Sequence, residues 1–211
     1  SNEEIAILKD YLAGNVSFET AATRASAKLT ATLKAPTHTK TKYACNYSWS
    51  WDKTPTGLQT DGVALGIAGI DSNSKYFETK KYSSTAYVNY VYTDGTTYKS
   101  ETPTTSINGG TLSCKFPSYK QDSTGSRYVW AKSGYVILTV VPIVSGGSEF
   151  AAVRARGEYG HATSSGTMNI TVTVNSTASI TITFTVDNSS SKVVTYGTKQ
   201  IIFYCLLEHL F

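Results

Sequence analysis

The stretch MNITVTVNSTASITITFTVD, residues 168–187, alternates apolar and polar side chains. Its apolar positions are Met168, Ile170, Val172 and Val174, followed by Ile180, Ile182, Phe184 and Val186. A period of two places alternate side chains on one face of a β-strand, whereas a helix has a period of 3.6. The stretch therefore predicts two neighbouring strands, each with one buried face and one wet face.

Similar segments follow one another from residue 26 to near the end of the chain, and turn signals such as Asp94-Gly95 lie between them. We predict strands at 27–35, 43–51, 63–70, 85–93, 96–101, 111–116, 127–132, 135–143, 150–157, 167–174, 179–187 and 192–196. Many short strands without helical crossovers are typical of all-β folds. We therefore predict an antiparallel β-sandwich of immunoglobulin-like or jelly-roll-like type.

The two ends of the chain differ from this pattern. Ile5, Leu8 and Leu12 have helical spacing and Gly14 follows them, which predicts a short N-terminal helix. The predicted organisation is a helical segment at 1–25 and a single sandwich domain at 26–211. Residues 201–211 are almost wholly apolar. They form a last core strand, a docked helix or a self-association patch.

The composition excludes several classes of protein. The chain has 211 residues, of which 16% are charged, and a net charge of +4. Ser and Thr make up about a quarter of it, and its apolar and aromatic content is too high for a disordered chain. The basic residues form no run of the kind that binds nucleic acid. No apolar stretch reaches the roughly 18 residues of a membrane-spanning helix.

The three cysteines, Cys45, Cys114 and Cys205, lack the close spacing of zinc ligands. A disulfide between Cys45 and Cys114 is the pairing that we favour, because both lie in predicted strands. Three buried thiols are the alternative. Asp71 begins a segment that resembles the start of a calcium loop, but Lys75 replaces an oxygen ligand there, so we predict a turn. We expect no metal and no cofactor.

Catalytic motifs of the common hydrolases and nucleotide-binding enzymes are absent from the sequence. His38, His161 and His209 are far apart, and none has an acidic partner at a motif distance. Glu149 and Glu158 flank one predicted strand, which would hold them roughly 30 Å apart, so we interpret them as two solvated glutamates. A site assembled in space from distant residues stays open as an alternative.

The tyrosines give the most specific binding hypothesis. A two-residue turn at Asp94-Gly95 pairs Tyr90 with Lys99 and places Tyr92 on the same face. Lys99 and Glu101 indicate that this face is wet. We therefore predict that Tyr90, Tyr92 and Lys99 form a ligand-binding surface, as in a sugar-stacking platform. The alternative is cross-strand tyrosine packing that only covers the sheet.

Two stretches resemble uncharacterised secreted or surface proteins of Gram-positive bacteria. One is YSWSWDKTP at 47–55 with TDGVA at 60–64, and the other is GEYGH at 157–161. The resemblance covers about a third of the chain. It implies an extracellular or cell-surface setting, and it carries no activity. On physical grounds His161 lies at a turn, where it caps the turn or holds a loop.

These observations favour a secreted or cell-surface β-sandwich that binds a ligand or builds structure and is not an enzyme. A carbohydrate-binding module and a hydrolase with a spatially assembled site are the alternatives. The expected partner is a surface glycan or a protein. Nucleic acid and an integral membrane span are not expected, and exposed strand edges favour self-association.

Overall fold

The structure, a computed structural model, describes residues 27–55, 59–143, 149–162, 166–187 and 193–205. This part of the chain is all-β and contains no helix. Its strands are β1 (Leu29–Thr39), β2 (Lys42–Trp51), β3 (Thr60–Ile70), β4 (Tyr76–Phe77), β5 (Thr79–Tyr92), β6 (Thr97–Glu101), β7 (Thr105–Asn108), β8 (Thr111–Pro117), β9 (Tyr119–Gln121), β10 (Tyr128–Pro142), β11 (Ala152–Ala162), β12 (Met168–Val174), β13 (Ile180–Val186) and β14 (Val193–Tyr204).

The strands form two large antiparallel sheets and one hairpin. Sheet A has the order β1-β2-β10-β5-β6, and β9 pairs with β10. Sheet B has the order β14-β11-β3-β8-β7, and β4 pairs with β3. Strands β12 and β13 pair only with each other in the described chain. The prediction of an all-β, antiparallel fold is confirmed. The immunoglobulin-like or jelly-roll-like topology stays a prediction.

The main core lies between sheet A and sheet B. Alternate residues of β2 point into it, and they include Tyr43, Cys45, Tyr47, Trp49 and Trp51, all at most 3% exposed. Sheet B contributes the facing side chains, so that Trp49 stacks on Phe116 of β8 at a centroid distance of 5.6 Å. Trp49 and Trp51 are therefore core residues.

A second core lies on the other side of sheet B. The apolar faces of β12 and β13 pack there against β3, whose residues from Asp61 to Gly69 are all buried. On this side β3 carries small residues at alternate positions: Gly62, Ala64, Gly66 and Ala68. A Cβ atom on Gly66 would lie 2.6 Å from Cγ2 of Ile180. The missing side chains thus provide the space that the hairpin occupies.

Several strand boundaries differ from the sequence-based ones. The segments predicted at 127–132 and 135–143 form the single strand β10, which has a bulge between Ala131 and Ser133. The tail is a strand up to Tyr204, because β14 pairs with β11 along its length. The predicted N-terminal helix and the 1–25 segment lie outside the described residues.

All three cysteines are free thiols, so the expected disulfide between Cys45 and Cys114 is not formed. Cys45 lies on the inner face of sheet A and Cys114 on the inner face of sheet B, and both are core residues. Burial raises the pKa of each thiol to about 12 from the usual 9.0. Cys205, in contrast, is half-buried.

We expect dithionitrobenzoate at mildly alkaline pH to label Cys205 alone in the native protein and all three cysteines in urea. The buried thiols react slowly because they are shielded and stay protonated. Above pH 9 the unfolded thiols ionise while the folded ones do not, so stability should fall as the pH rises further. Two unreactive cysteines in urea without reductant would contradict this prediction and indicate a disulfide.

The packing of the hairpin on sheet B can be tested at Gly160. A Cβ atom there would lie 2.5 Å from Cδ1 and 2.7 Å from Cγ of Phe184. We expect Gly160→Ala to lower the free energy of unfolding by about 1–3 kcal/mol through overpacking. In a Phe184→Leu background the same substitution should lower the free energy of unfolding by less, because the aromatic ring with which the new methyl group clashes is absent. Additive effects of the two substitutions in urea unfolding would contradict this account.

Candidate functional site

Tyr90 does not lie on a wet face, and this part of the prediction is wrong. The pairing of Tyr90 with Lys99 is present, but the tyrosine ring is 1% exposed and its hydroxyl donates to the Pro117 carbonyl at 2.8 Å. Tyr90 shares the inner face of sheet A with Ala86 and Val88, which are also buried. Lys99 lies opposite on β6, a terminal strand of the sheet, where a long charged side chain still reaches water.

Tyr92 and Lys99 are accessible but do not form a platform with Tyr90. The Arg127 guanidinium lies 3.7 Å from the centre of the half-buried Tyr92 ring, and Tyr98 meets that ring edge-on at 5.5 Å. Lys99 forms an ion pair with Glu101 at 2.9 Å. The three residues are therefore separate: one ring is in the core, one is covered by a cation, and the lysine is already paired.

The structure brings together a buried polar cluster that the sequence did not reveal. His161 does not lie at a turn, as the sequence had suggested, because β11 continues to Ala162. It is a direct neighbour of Asp61 of β3 in the sheet, and both residues are 0% exposed. Oδ1 of Asp61 lies 2.5 Å from Nδ1 of His161, and its other oxygen accepts a hydrogen bond from the Tyr159 hydroxyl. Trp51 of sheet A donates its indole N–H to the same hydroxyl at 3.3 Å. The cluster thus links the two sheets.

The electrostatics of this cluster depend on the carboxylate. Burial raises the pKa of Tyr159 well above its usual value, and the charge of Asp61 raises it further. The pKa of Tyr196 is raised for the same two reasons. These tyrosines therefore stay protonated and act as hydrogen-bond donors or neutral neighbours. A buried carboxylate needs such partners, because an unpaired charge in the core is costly.

An Asp–His pair is also part of the catalytic apparatus of many hydrolases. Here both carboxylate oxygens are engaged, and the three side chains of Asp61, Tyr159 and His161 are fully buried. A substrate would have to displace the surrounding core to reach them. The geometry supports a structural role in which the cluster fixes the register of β3 and β11 and joins sheet B to sheet A.

Glu149 precedes β11 and Glu158 lies within it, and the environments of the two glutamates differ. Glu149 is solvated, with 63% of its side chain exposed, as predicted. Glu158 is 4% exposed and forms an ion pair with Arg156 at 2.9 Å, so its interpretation as a solvated residue was wrong. Alternation along β11 turns Glu158 toward the hairpin side of sheet B, whereas Tyr159 and His161 point toward sheet A.

The outer face of sheet A is a second candidate site. We use this name for the outward residues of β1, β2, β10 and β5, which include Thr30, Thr32, Lys34, Lys42, Ala44, Asn46, Ser48, Ser50, Ser133, Tyr135, Ile137, Thr139, Lys80, Ser83, Thr85, Tyr87 and Asn89. Tyr135 and Tyr87 are cross-strand neighbours with ring centres 5.3 Å apart. Tyr87 is 36% exposed, and Tyr135 is half-buried.

Hydroxyl and amide groups surround these two rings. The Asn89 amide donates to Ser133 at 3.2 Å and accepts a hydrogen bond from Ser100 of β6. Thr32 and Ser48 are hydrogen-bonded at 3.3 Å in the row that contains Tyr135. The outer face of sheet A carries three lysines, Lys34, Lys42 and Lys80, and no acid. It is therefore a mildly basic, hydroxyl-rich surface with two aromatic rings at its centre.

Metal ligands are not clustered in the described chain: it contains no group of three or more His, Cys, Asp and Glu side chains that could hold an ion. Asp71 and the following residues form a turn, as predicted, with the Asp71 carboxylate accepting hydrogen bonds from the backbone of Asn73 and Lys75 at 2.8 Å. The described residues also include no helix that is long and apolar enough to cross a membrane.

Comparisons with known proteins do not assign the chain to a family. No family model matches it, and no curated protein matches it. A DUF4466 family protein from Parabacteroides merdae matches 82% of the chain at 9% identity with a TM-score of 0.27, and the chain spans 44% of that protein. AvmM, which catalyses macrocyclization in alchivemycin A biosynthesis, matches 63% of the chain and 72% of its own length, at 8% identity and a TM-score of 0.26. Similarities at this level carry no argument about fold or function.

The structural role of the buried cluster can be tested by Asp61→Asn. The asparagine amide has one oxygen and one NH₂ group. Its NH₂ group faces either the Tyr159 hydroxyl or the His161 imidazole, so one of these two groups loses the carboxylate oxygen that it contacts. We expect the substitution to lower the free energy of unfolding by about 3–5 kcal/mol. Tyr159→Phe is the matched control and should cost about 1–3 kcal/mol, since it removes one hydroxyl and leaves the charge paired. A smaller effect of Asp61→Asn than of Tyr159→Phe in urea unfolding would contradict the structural role.

Proposed function

We propose that this protein is a non-catalytic β-sandwich binding protein that acts outside the cell or at its surface and binds a polysaccharide with the outer face of sheet A. The observation that carries the proposal is the pair Tyr87 and Tyr135, which lies on an open sheet face among hydroxyl and amide groups. A sugar ring offers apolar C–H faces and a rim of hydroxyls. Aromatic rings and short polar side chains complement both features.

The charge of the face supports an uncharged partner. Lys34, Lys42 and Lys80 are the charged side chains among these outward residues, but the row that contains Tyr87 and Tyr135 continues with the uncharged Ser48 and Thr32. Nucleic acids and acidic polymers are bound by clusters of Lys and Arg, which the surroundings of the two tyrosines do not provide. A neutral polysaccharide needs hydrogen-bonding groups and rings instead.

The burial of the Asp61–His161 pair supports the absence of catalysis. Both side chains are 0% exposed, and the hydroxyl that accompanies them is equally buried. The hydrolase alternative requires a substrate to reach the imidazole. Its test is whether a variant that keeps the fold, such as Tyr159→Phe, changes any measurable esterase or glycosidase activity.

The setting outside the cell is supported by the resemblance of residues 47–55, 60–64 and 157–161 to secreted and surface proteins and by the Ser- and Thr-rich composition. Polysaccharides of cell walls and extracellular matrices are available there.

The binding surface can be tested with a glycan array and polysaccharide pull-down assays. We expect the double substitution Tyr87→Ala/Tyr135→Ala to weaken binding more than tenfold, because each aromatic contact is worth about 1 kcal/mol. Its thermal stability should stay close to that of the wild type, since both rings are on the surface.

Tyr128→Ala is the matched control, because Tyr128 is 49% exposed and lies at the start of β10, where this strand pairs with β9 and not with β2. It should bind like the wild type. Binding that is lost in Tyr128→Ala and kept in the double variant would place the glycan elsewhere. A protein that binds no glycan would remove the polysaccharide proposal and leave a protein partner for this face.

A further inference from the structure

A groove with a volume of about 720 Å³ lies at one end of sheet B, on the side of the hairpin. Its floor comes from Ile70 of β3, Arg154 of β11 and Ile202 of β14, and its walls are the turn after β3 and the turn that joins β12 to β13. The volume is within the range of small-molecule sites, which is roughly 300–1,000 Å³. The groove is on a different sheet from the two tyrosines discussed above.

Arg154 is the unusual residue in this groove. Its Nε atom is buried and has no hydrogen-bond partner, and no described side chain forms an ion pair with its guanidinium. A buried donor without a partner costs free energy. Arg156, two residues along on the same face of β11, is different: it binds Glu158 at 2.9 Å and the Ile180 carbonyl at 3.4 Å. Within the described residues, Arg154 is thus a cation in a groove without a hydrogen-bond or ion-pair partner.

The charge around Arg154 is positive. Lys75 also lines the groove, and none of the described residues that line it is acidic. The nearest acid of the rim turn, Asp71, uses its carboxylate to accept the backbone N–H groups of Asn73 and Lys75. Glu78 lines a neighbouring groove instead. Two cations without a counter-ion favour an anionic ligand.

The rest of the lining is apolar and aromatic. Tyr76 lines the groove, and Ile202 and Tyr204 of β14 contribute side chains that are 37% and 70% exposed. Large apolar side chains at such exposure are typical of surfaces that contact a ligand or partner. A ligand with an apolar or aromatic body would cover them while its charged end reaches Arg154.

The two rim turns also hold their backbones in an unusual conformation. Asp71 and Asn175 begin turns of the same kind, and Ser74 and Ala178 have positive φ values of 61° and 58° in them. The turn from Tyr92 to Thr96, away from the groove, has the same two backbone hydrogen bonds, and there Gly95 occupies the corresponding position. The non-glycine residues with positive φ in the described chain therefore both line the groove.

From these observations we propose that the groove binds a small organic carboxylate with an apolar or aromatic body. The planar guanidinium of Arg154 forms two parallel hydrogen bonds with the carboxylate, a geometry that arginine favours. Lys75 adds a second positive charge, and the body of the ligand lies against Ile202, Tyr76 and Tyr204. The ligand supplies the counter-ion that no described side chain gives to the guanidinium of Arg154.

The test uses benzoate and octanoate as probes, with benzamide and octanamide as their neutral counterparts. Binding to the whole protein is measured by calorimetry and by chemical-shift changes. We expect at least one carboxylate to bind at millimolar concentration or better and its amide to bind at least tenfold more weakly. Arg154→Met should abolish this preference. Arg127→Met, which removes a cation from the far end of sheet A, should leave it unchanged.

The thermal stability of Arg154→Met separates a binding role from a structural one. A methionine removes the unpaired donor and keeps much of the side-chain volume, so the melting temperature should be unchanged or higher. A lower melting temperature, with carboxylates and amides binding equally, would overturn the proposal. Failure of all four probes to bind the wild type would overturn it too. Neither result depends on the glycan assays, which test another face of the protein.

Discussion

The close contact between the β12–β13 hairpin and sheet B is the constraint on which the rest of the structure depends. Sheet B has to be apolar on both faces, and its central strand β3 meets this requirement with large side chains toward sheet A and small ones toward the hairpin. Gly62, Gly66 and Gly160 leave space that Met168, Ile180 and Phe184 fill. Because both faces are covered, the polar residues of sheet B have to find partners inside the protein.

Buried polar residues follow from this arrangement. Asp61 and His161 face sheet A and satisfy each other with the help of Tyr159. Arg156 and Glu158 face the hairpin and do the same. Arg154, at the end of the same strand, has no such partner. Arg154 is therefore the residue of this strand that is available to a ligand. The pairs Asp61–His161 and Arg156–Glu158 instead stabilise the fold.

Much of the strand content could be predicted from the alternation of side chains, because a period of two depends on local sequence alone. The face of Tyr90 could not, since charged residues on a terminal strand such as β6 reach water from either face. The pairing of Asp61 with His161 joins residues 100 positions apart and depends on the register of β3 and β11. The small residues of β3 alternate along the sequence and indicate that something packs closely on that face. The sequence does not reveal that the β12–β13 hairpin is the element that packs there.

The hairpin has one further consequence. Its strands share ladder hydrogen bonds with each other and not with the two large sheets. In the described chain, Lys115 and Arg156 supply the side-chain hydrogen bonds that tie it to sheet B, through the carbonyls of Met168 and Ile180. Apolar packing and these two bonds hold it to sheet B, so an opening of the hairpin would leave the ladders of both sheets intact and would cost less free energy than complete unfolding. The molecule would then present β3, with its glycines uncovered, as a transiently open apolar surface.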